Sequence, residues 1–592
     1  MRDAPILATV ALVPLILTPH LLYYYDVTPK IAILLLGVSL TLLLSRIDFR
    51  PLRSHPASRW FVGIVGFQWM WFGLASALST SPSISLYGST WRRLGFITQT
   101  GVLAFAVLCL AWLIENPSHI RLLLRSVTAA GLLISLYTIS QYLGIDPLLP
   151  SSAYQSGEGP FRIVRPPATL GHADYAAVWL LFVIFCSPRW LLPVAAFALL
   201  LTGTRSALVG LVAGGIVLLL LRYRASTKRE RFGAAAFVAV LGLFVLSPPG
   251  AKLRARVHWS LDDQRGGARL LLWRDTLPIV AHHPLTGLGP ETFGTQFPLY
   301  ESLDLARAYP DFYHESPHDL PLDLAAGQGL PAAIAFLGLC GLAVWAGLRS
   351  KAELAPRLLA AFAALCLAHV FVVVTLPTEL AFYLAIVMLI SLGAGSEPGE
   401  LPGRPHFALL RYAVATIAVV FTVHFVTADY WLARAQQRIT VEDVLGAANA
   451  YRASLWWQPG GPGADLSYSR QMANLATRSS IFKTRLDAFE QALESGIRAT
   501  EESEQRQNAW FNLAELFAAQ NNAANVEHSL RNAIAWSPNW FKPHWILAQF
   551  LETQQRAREA VAEAQAAVER DGGRDPEVTQ TLMRLQRTSL NH

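Results

Sequence analysis

Four short segments hold the side chains whose types and spacing could do chemistry. In Phe161–Pro167, Arg162 and Arg165 sit in a proline-flanked, extended stretch that leads to Thr169-Leu170-Gly171-His172-Ala173-Asp174. In Leu201–Ala207, Gly203 permits a tight turn between two apolar runs, Thr204 or Ser206 can cap the next helix, and Arg205 stands at that helix's start. A helix N-terminus is itself electropositive, so a guanidinium beside it points to a shared anionic ligand. In Gly266–Asp275, Arg269 and Trp273 are four residues apart and share a helix face. The fourth segment is His314-Glu315-Ser316-Pro317-His318-Asp319. As text it satisfies the His-Glu-x-x-His pattern of zinc proteases, which requires a helix. Pro317 lacks a backbone N–H and disfavours helical angles at Ser316. The reading that survives keeps His318 alone, an imidazole able to take a proton from an alcohol near neutral pH. Each segment also has a plainer reading: a headgroup anchor for Arg162 and Arg165, snorkelling for Arg205, a membrane-surface helix around Arg269, and a hydrogen-bonded structural role for His318.

The elements that position these segments are apolar. Of 592 residues, 53% are hydrophobic and only 15% charged, against about 25% charged in an ordinary soluble domain. Disorder and a disulfide scaffold are excluded, and the composition argues against an ordinary soluble enzyme. Cys109, Cys186, Cys340 and Cys366 are widely spaced in apolar runs and suggest neither a disulfide framework nor a metal knuckle. Candidate membrane spans lie near 5–25, 27–44, 60–78, 95–114, 122–143, 173–187, 190–203, 206–221, 232–247, 329–348, 357–375, 379–395 and 407–428. The fold class is therefore all-α, a polytopic helical membrane protein of about 12–13 spans. The first run reads as a signal anchor rather than a cleavable leader.

Lys and Arg set the orientation. With the N-terminus in the cytoplasm, the inner short loops hold most of them, from Arg50, Arg53 and Arg59 to Arg349, Lys351 and Arg411. The outer short loops hold Lys30, Arg92, Arg93, Arg162, Arg165 and Arg205. The 144–172 loop, the long 248–328 loop and everything after 428 then face outward. The net charge of +7 belongs to this membrane bias, and no nucleic-acid partner is expected.

The composition changes after Asp429, and a 34-residue period pairs Leu513 with Leu547, Ala514 with Ala548, Phe517 with Leu551 and Ala533 with Ala567. Ala499 stands in the same register, marking a third, degenerate unit around 474–507. This pattern resembles tetratricopeptide repeats, and such stacks present a concave face to a protein partner. The expected division is a membrane domain over 1–428 and a soluble periplasmic helical domain over 429–592.

In this order, the segments resemble the superfamily of O-antigen ligases and O-antigen polymerases, polytopic bacterial membrane glycosyltransferases. The matching features are Thr202-Gly203-Thr204-Arg205, the Arg269/Trp273 pair, Pro284-Leu285-Thr286-Gly287-Leu288-Gly289, and His318 followed by Asp319, nine residues and Gly329. The ligase form has Asn, Ser or Gln where Asp319 stands. The resemblance covers roughly residues 60–395. It implies transfer of a glycan from an undecaprenyl-pyrophosphate carrier to an acceptor hydroxyl at the periplasmic face of the inner membrane, with no nucleotide sugar, metal or other cofactor. It assigns Arg205 and Arg269 to the pyrophosphate, with Arg162 and Arg165 as further donor-binding candidates, and His318 to acceptor activation. The acceptor would be lipid A core in a ligase, Ser or Thr in a protein O-oligosaccharyltransferase, or another carrier-linked unit in a polymerase. Two readings from other classes are a membrane zinc metalloprotease built on His314 and His318 and a non-catalytic scaffold. With His318 as base and an ordinary imidazole pKa, the rate should fall below about pH 6.5.

Overall fold

The computed structural model describes residues 3–45, 47–156, 163–222, 239, 242–243, 246–247, 268–394, 408–458, 460 and 463–590. Among these, seven helices are long and apolar enough to cross a membrane, and five apolar helices of 10–17 residues accompany them. A two-residue antiparallel pairing, Gln155–Ser156 with Ile163–Val164, accounts for the strand structure among the described residues. The chain is an all-α, multi-pass membrane protein. The expected span at 232–247 falls almost wholly outside the described residues.

Proline punctuation explains many of the helix starts. Pro29, Pro56, Pro193, Pro331 and Pro356 each occupy the first turn of an apolar helix, where the missing N–H has no intrahelical partner to lose. Pro14, by contrast, lies inside Ala4–Leu15, and the helix stops one residue later. The first expected span is thus shorter than 5–25. The Ala173–Cys186 helix is buried along nearly its whole length and forms the centre of the bundle. Peripheral helices leave Trp60, Met70, Leu220 and Leu409 exposed, as lipid-facing positions require.

Small residues decide the closest helix approach. A Cβ on Gly210 would stand 2.8 Å from the Ala364 carbonyl oxygen, and one on Gly214 2.7 Å from that of Ala360. Gly210 and Gly214 therefore let Arg205–Arg222 lie directly on the backbone of Ala355–Ala368, the small-xxx-small solution of membrane packing. Gly210→Leu is expected to destabilise the detergent-purified protein by about 2 kcal/mol through overpacking, measured as a fall in thermal midpoint. An unchanged midpoint would contradict this packing.

Segments assigned to one side of the membrane meet one another. The outer Thr90 backbone and side chain bond the Glu504 carboxylate. Arg307 donates to the Glu569 carbonyl at 2.8 Å, and Asn539 to the Glu301 carbonyl at 2.8 Å. On the opposite side, Arg411 bonds the Ser45 carbonyl at 2.8 Å and Arg357 the Phe185 carbonyl at 3.0 Å.

The change in composition after Asp429 falls inside one continuous helix, Ala408–Thr440. Beyond it, eight helices from Val444–Trp457 to Pro576–Leu590 pack in succession. The 34-residue register is physical: Leu513 and Leu547, Ala514 and Ala548, and Ala533 and Ala567 are all buried, as is Ala499. Alanine recurs where neighbouring helices need close approach.

Candidate active site

One end of the bundle gathers the singled-out residues, and each is delivered by a helix end. Gly203, at φ +64°, turns the chain from Leu192–Leu201 into Arg205–Arg222. This puts Thr204 and Arg205 beside the start of Ala173–Cys186. Asp174, in the first turn of that helix, is the hub. It accepts the Thr204 hydroxyl at 2.8 Å and the Arg165 guanidinium at 2.5 Å, with His172 Nδ1 3.6 Å away. Thr204, expected as a helix cap, gives its hydroxyl hydrogen to Asp174. Arg165 Nε is buried without a hydrogen-bond partner.

Arg269 and Trp273 share a face of Ala268–His282, as their spacing predicts. Arg269 donates to the Phe371 carbonyl at 3.0 Å and lies over the Phe371 ring at 5.9 Å. Trp273 donates to the Pro317 carbonyl at 2.9 Å, which fixes the residue before His318. Leu320, two residues after His318, donates to the His369 carbonyl at 3.0 Å. The turn after Ala355–Ala368 thus anchors both Arg269 and the His318 segment. The Gly210/Gly214 contact ties that helix in turn to Arg205.

His318 has φ +57°, a left-handed conformation uncommon outside glycine. Its N–H bonds the Ser316 hydroxyl at 3.1 Å. Burial pushes the imidazole down to about 4; Arg269 adds to this, Asp174 opposes it, and Arg92 and His172 lower it further. His318 is therefore neutral and able to accept a proton at every pH well above 4. The loss of rate expected below pH 6.5 belongs to an ordinary imidazole; for a His318 base held lower by burial it moves to lower pH. Burial also lowers the Arg269 pKa, with Asp174 opposing and Arg205 adding to the lowering. These influences place Arg165, Arg205, Arg269, Asp174, His172 and His318 in one electrostatic neighbourhood. Arg162 lies outside the described residues.

Residues 309–319 are not helical, so His314 and His318 do not share a helix face. The zinc-protease geometry of the His-Glu-x-x-His text is not formed, for the reason Pro317 supplies. His314 turns instead toward Glu301, 3.7 Å away.

The motif around His318 has a structural logic. Asp319 caps Leu320–Gln328 by accepting the Leu322 N–H at 2.8 Å. Asn, Ser and Asp are equivalent caps, so Asp319 performs the same local task as the ligase residues Asn and Ser. Gly329, at φ +80° and ψ 173°, breaks that helix from the next, in a region that essentially only glycine enters. A Cβ there would stand 1.8 Å from the Leu285 carbonyl oxygen. The Pro284–Gly289 string laces to this break: Leu288 donates to the Ala326 carbonyl at 2.9 Å, Gly289 to Gly327 at 3.0 Å, and Leu330 to Pro284 at 2.8 Å. Gly329→Ala is expected to cost about 2–3 kcal/mol or prevent folding, read from the yield and thermal midpoint of monodisperse protein; wild-type values would show the break to be dispensable.

Sequence reasoning missed two side chains. Asp174 was quoted but given no role. Arg92, counted only as an outer-loop charge, is buried between Glu291 at 2.5 Å and Asp323 at 2.9 Å. It clamps the 88–95 loop to the glycine string and to Leu320–Gln328.

The fold and this cluster define a multi-pass membrane protein with a group of arginines gathered about Asp174 and His318 at helix ends. Residues 190–337, a quarter of the chain, match the O-antigen ligase family, so the chain carries a region similar to an O-antigen ligase domain, the kind of domain found in glycosyltransferase-type enzymes. The match includes Arg205, Arg269 and His318 and stops short of Arg165 and Asp174. No curated protein matches the chain. A solved structure described as "Crystal structure of APC/C hetero-tetramer Cut9-Hcn1" aligns over 94% of this chain and 90% of that one at 12% identity, but its TM-score of 0.21 supports no argument.

Proposed function

We propose that the protein transfers a glycan from an undecaprenyl-pyrophosphate carrier to an acceptor hydroxyl at the periplasmic face of the bacterial inner membrane. The carrying observation is the charge of the cluster. Arg165 bonds Asp174, Arg269 and His318 lie in the field of the same carboxylate, and Arg205 acts on Arg269, so three guanidinium groups gather around the neutral imidazole of His318. A diesterified pyrophosphate brings two negative charges. In this reading Arg205 and Arg269 hold the pyrophosphate and stabilise the charge that grows on it as the glycosidic bond breaks. Their fixed forks take the place of a divalent ion, so transfer proceeds without metal. Asp174 and Thr204 position Arg165 and the Arg205 turn.

His318 removes the proton from the acceptor hydroxyl, whose oxygen attacks the anomeric carbon as the carrier pyrophosphate leaves from the opposite side. Direct attack inverts the anomeric centre. Acceptor classes rank as lipid A core, then protein Ser or Thr, then a second carrier-linked unit. Residues 1–428 form the catalytic membrane domain, and 429–592 a periplasmic helical domain able to receive an acceptor or a protein partner.

The experiment is transfer by purified protein with chelator present. One carrier-linked oligosaccharide is offered with lipid A core, a pilin-like protein or a second carrier-linked unit. Inverted product with any one acceptor supports the proposal and names the acceptor. No product with any of them, retained configuration, or full activity in His318→Ala would reject it; the last would fit the scaffold reading.

A further inference from the structure

A second cavity, of about 320 Å³, lies outside the arginine cluster, at the seam between the outer loop and the C-terminal helices. Its walls include Phe312 and Glu301 from the loop, and Phe511, Trp540 and Asn508 from the helical tail. Phe511 and Trp540 are 5.0 Å apart with their planes tilted by 54°, making a concave aromatic corner. His314 also lines the cavity, although the residue is only 4% exposed, and its Nε2 has no hydrogen-bond partner. The 3.7 Å between that nitrogen and Glu301 is too long for a hydrogen bond.

We propose that this seam cavity binds a neutral saccharide, the carbohydrate of the acceptor. A sugar hydroxyl donates and accepts at once, so one hydroxyl can serve both His314 and Glu301. Burial holds both groups uncharged near neutral pH. The Glu301 carboxyl is pushed up to about 8, with Asp275 adding, and the His314 imidazole down to about 4, with His318 adding and Asp275 opposing. The formal charges that line the cavity come in opposite pairs: Asp311 bonds Lys542 at 2.6 Å and the Trp540 indole at 2.7 Å, and Arg470 and Glu515 act on each other. A site with neutral polar groups and aromatic faces suits a polyhydroxylated ring better than a charged peptide. The volume lies in the range of about 300–1,000 Å³ that small-molecule sites fill. His314 precedes His318 by four residues in the same loop and feels its field, which sets the cavity beside the proposed base. The assignment to the acceptor rests on the glycan-transfer reading above.

The test uses full-length protein in detergent and core oligosaccharide freed from lipid A by mild acid, with binding followed by calorimetry. Saturable binding at about millimolar Kd is expected. Trp540→Ala and, independently, Phe312→Leu should each weaken it by about tenfold, while affinity for polyprenyl pyrophosphate stays unchanged. Phe312 is exposed on the loop, so its variant guards against loss of fold at Trp540. No saturable binding, binding indifferent to both variants, or a preference for a Ser/Thr-rich peptide in competition would overturn the proposal. Because the assay needs no turnover, saccharide binding without transfer would leave the site standing and reject the catalytic reading. Transfer without saccharide binding would do the reverse.

Discussion

Arg269→Lys is expected to lower metal-free glycan transfer by about 10²–10³-fold, with little change in the folded fraction. Arg269 donates to the Phe371 carbonyl at 3.0 Å and is drawn toward Asp174 against the repulsion of Arg205. A lysine keeps the charge but loses the planar fork that can bond one anion and the Phe371 carbonyl together. The deficit should lie mainly in kcat, because charge on the leaving pyrophosphate is greatest in the transition state. A lysine variant retaining more than half the wild-type rate would mean that a point charge suffices and that the fork geometry carries nothing. The thermal midpoint, measured alongside, separates this from simple destabilisation.

His318→Ala is expected to lower kcat by about 10²–10⁴-fold, the usual contribution of a positioned general base. The pH profile is the sharper readout. The neutral imidazole is the active form, and burial together with Arg269 pushes it down to about 4. In the free enzyme, kcat/KM should stay flat as pH falls to about 5 and drop only nearer 4. Bound donor adds negative charge beside His318 and offsets Arg269, so the inflection in kcat should lie above that in kcat/KM. An inflection near the ordinary histidine value in kcat/KM, absent from His318→Ala, would contradict the buried site. The same limb persisting in His318→Ala would assign the base elsewhere.

Much of this arrangement is legible in the chain. Long apolar runs and proline-marked starts give the membrane helices, and residue types in a fixed order single out Arg205, Arg269 and His318. Asp174 escapes such reading because its partners Arg165 and Thr204 stand 9 and 30 positions away, at no spacing that a helix or strand period would flag. Arg92 escapes it for the same reason, meeting Glu291 and Asp323 across 199 and 231 residues. Gly329 can be read as part of a motif, but its reason, a backbone approach to Leu285, exists only in three dimensions. The titration of His318 depends on burial, which residue type does not encode. The His-Glu-x-x-His text shows the converse: a local pattern present in letters that Pro317 and the non-helical 309–319 segment deny in space.

The seam between the outer loop and the tail also changes how the C-terminal helices are understood. Asn539 and Trp540 from the tail reach Glu301 and Asp311, and Thr90 reaches Glu504. The C-terminal helices are therefore docked on Glu301, Asp311 and Thr90 through several polar contacts.

The most direct measurement is the affinity of the purified protein for a short-chain polyprenyl pyrophosphate, compared with its monophosphate, in wild type and in Arg205→Gln and Arg269→Gln variants. Two guanidinium forks acting on one anion predict preference for the pyrophosphate by about tenfold or more, lost in either variant, with the wild-type fold retained. Equal affinity for both phosphates, or pyrophosphate binding unchanged in both variants, would contradict the account.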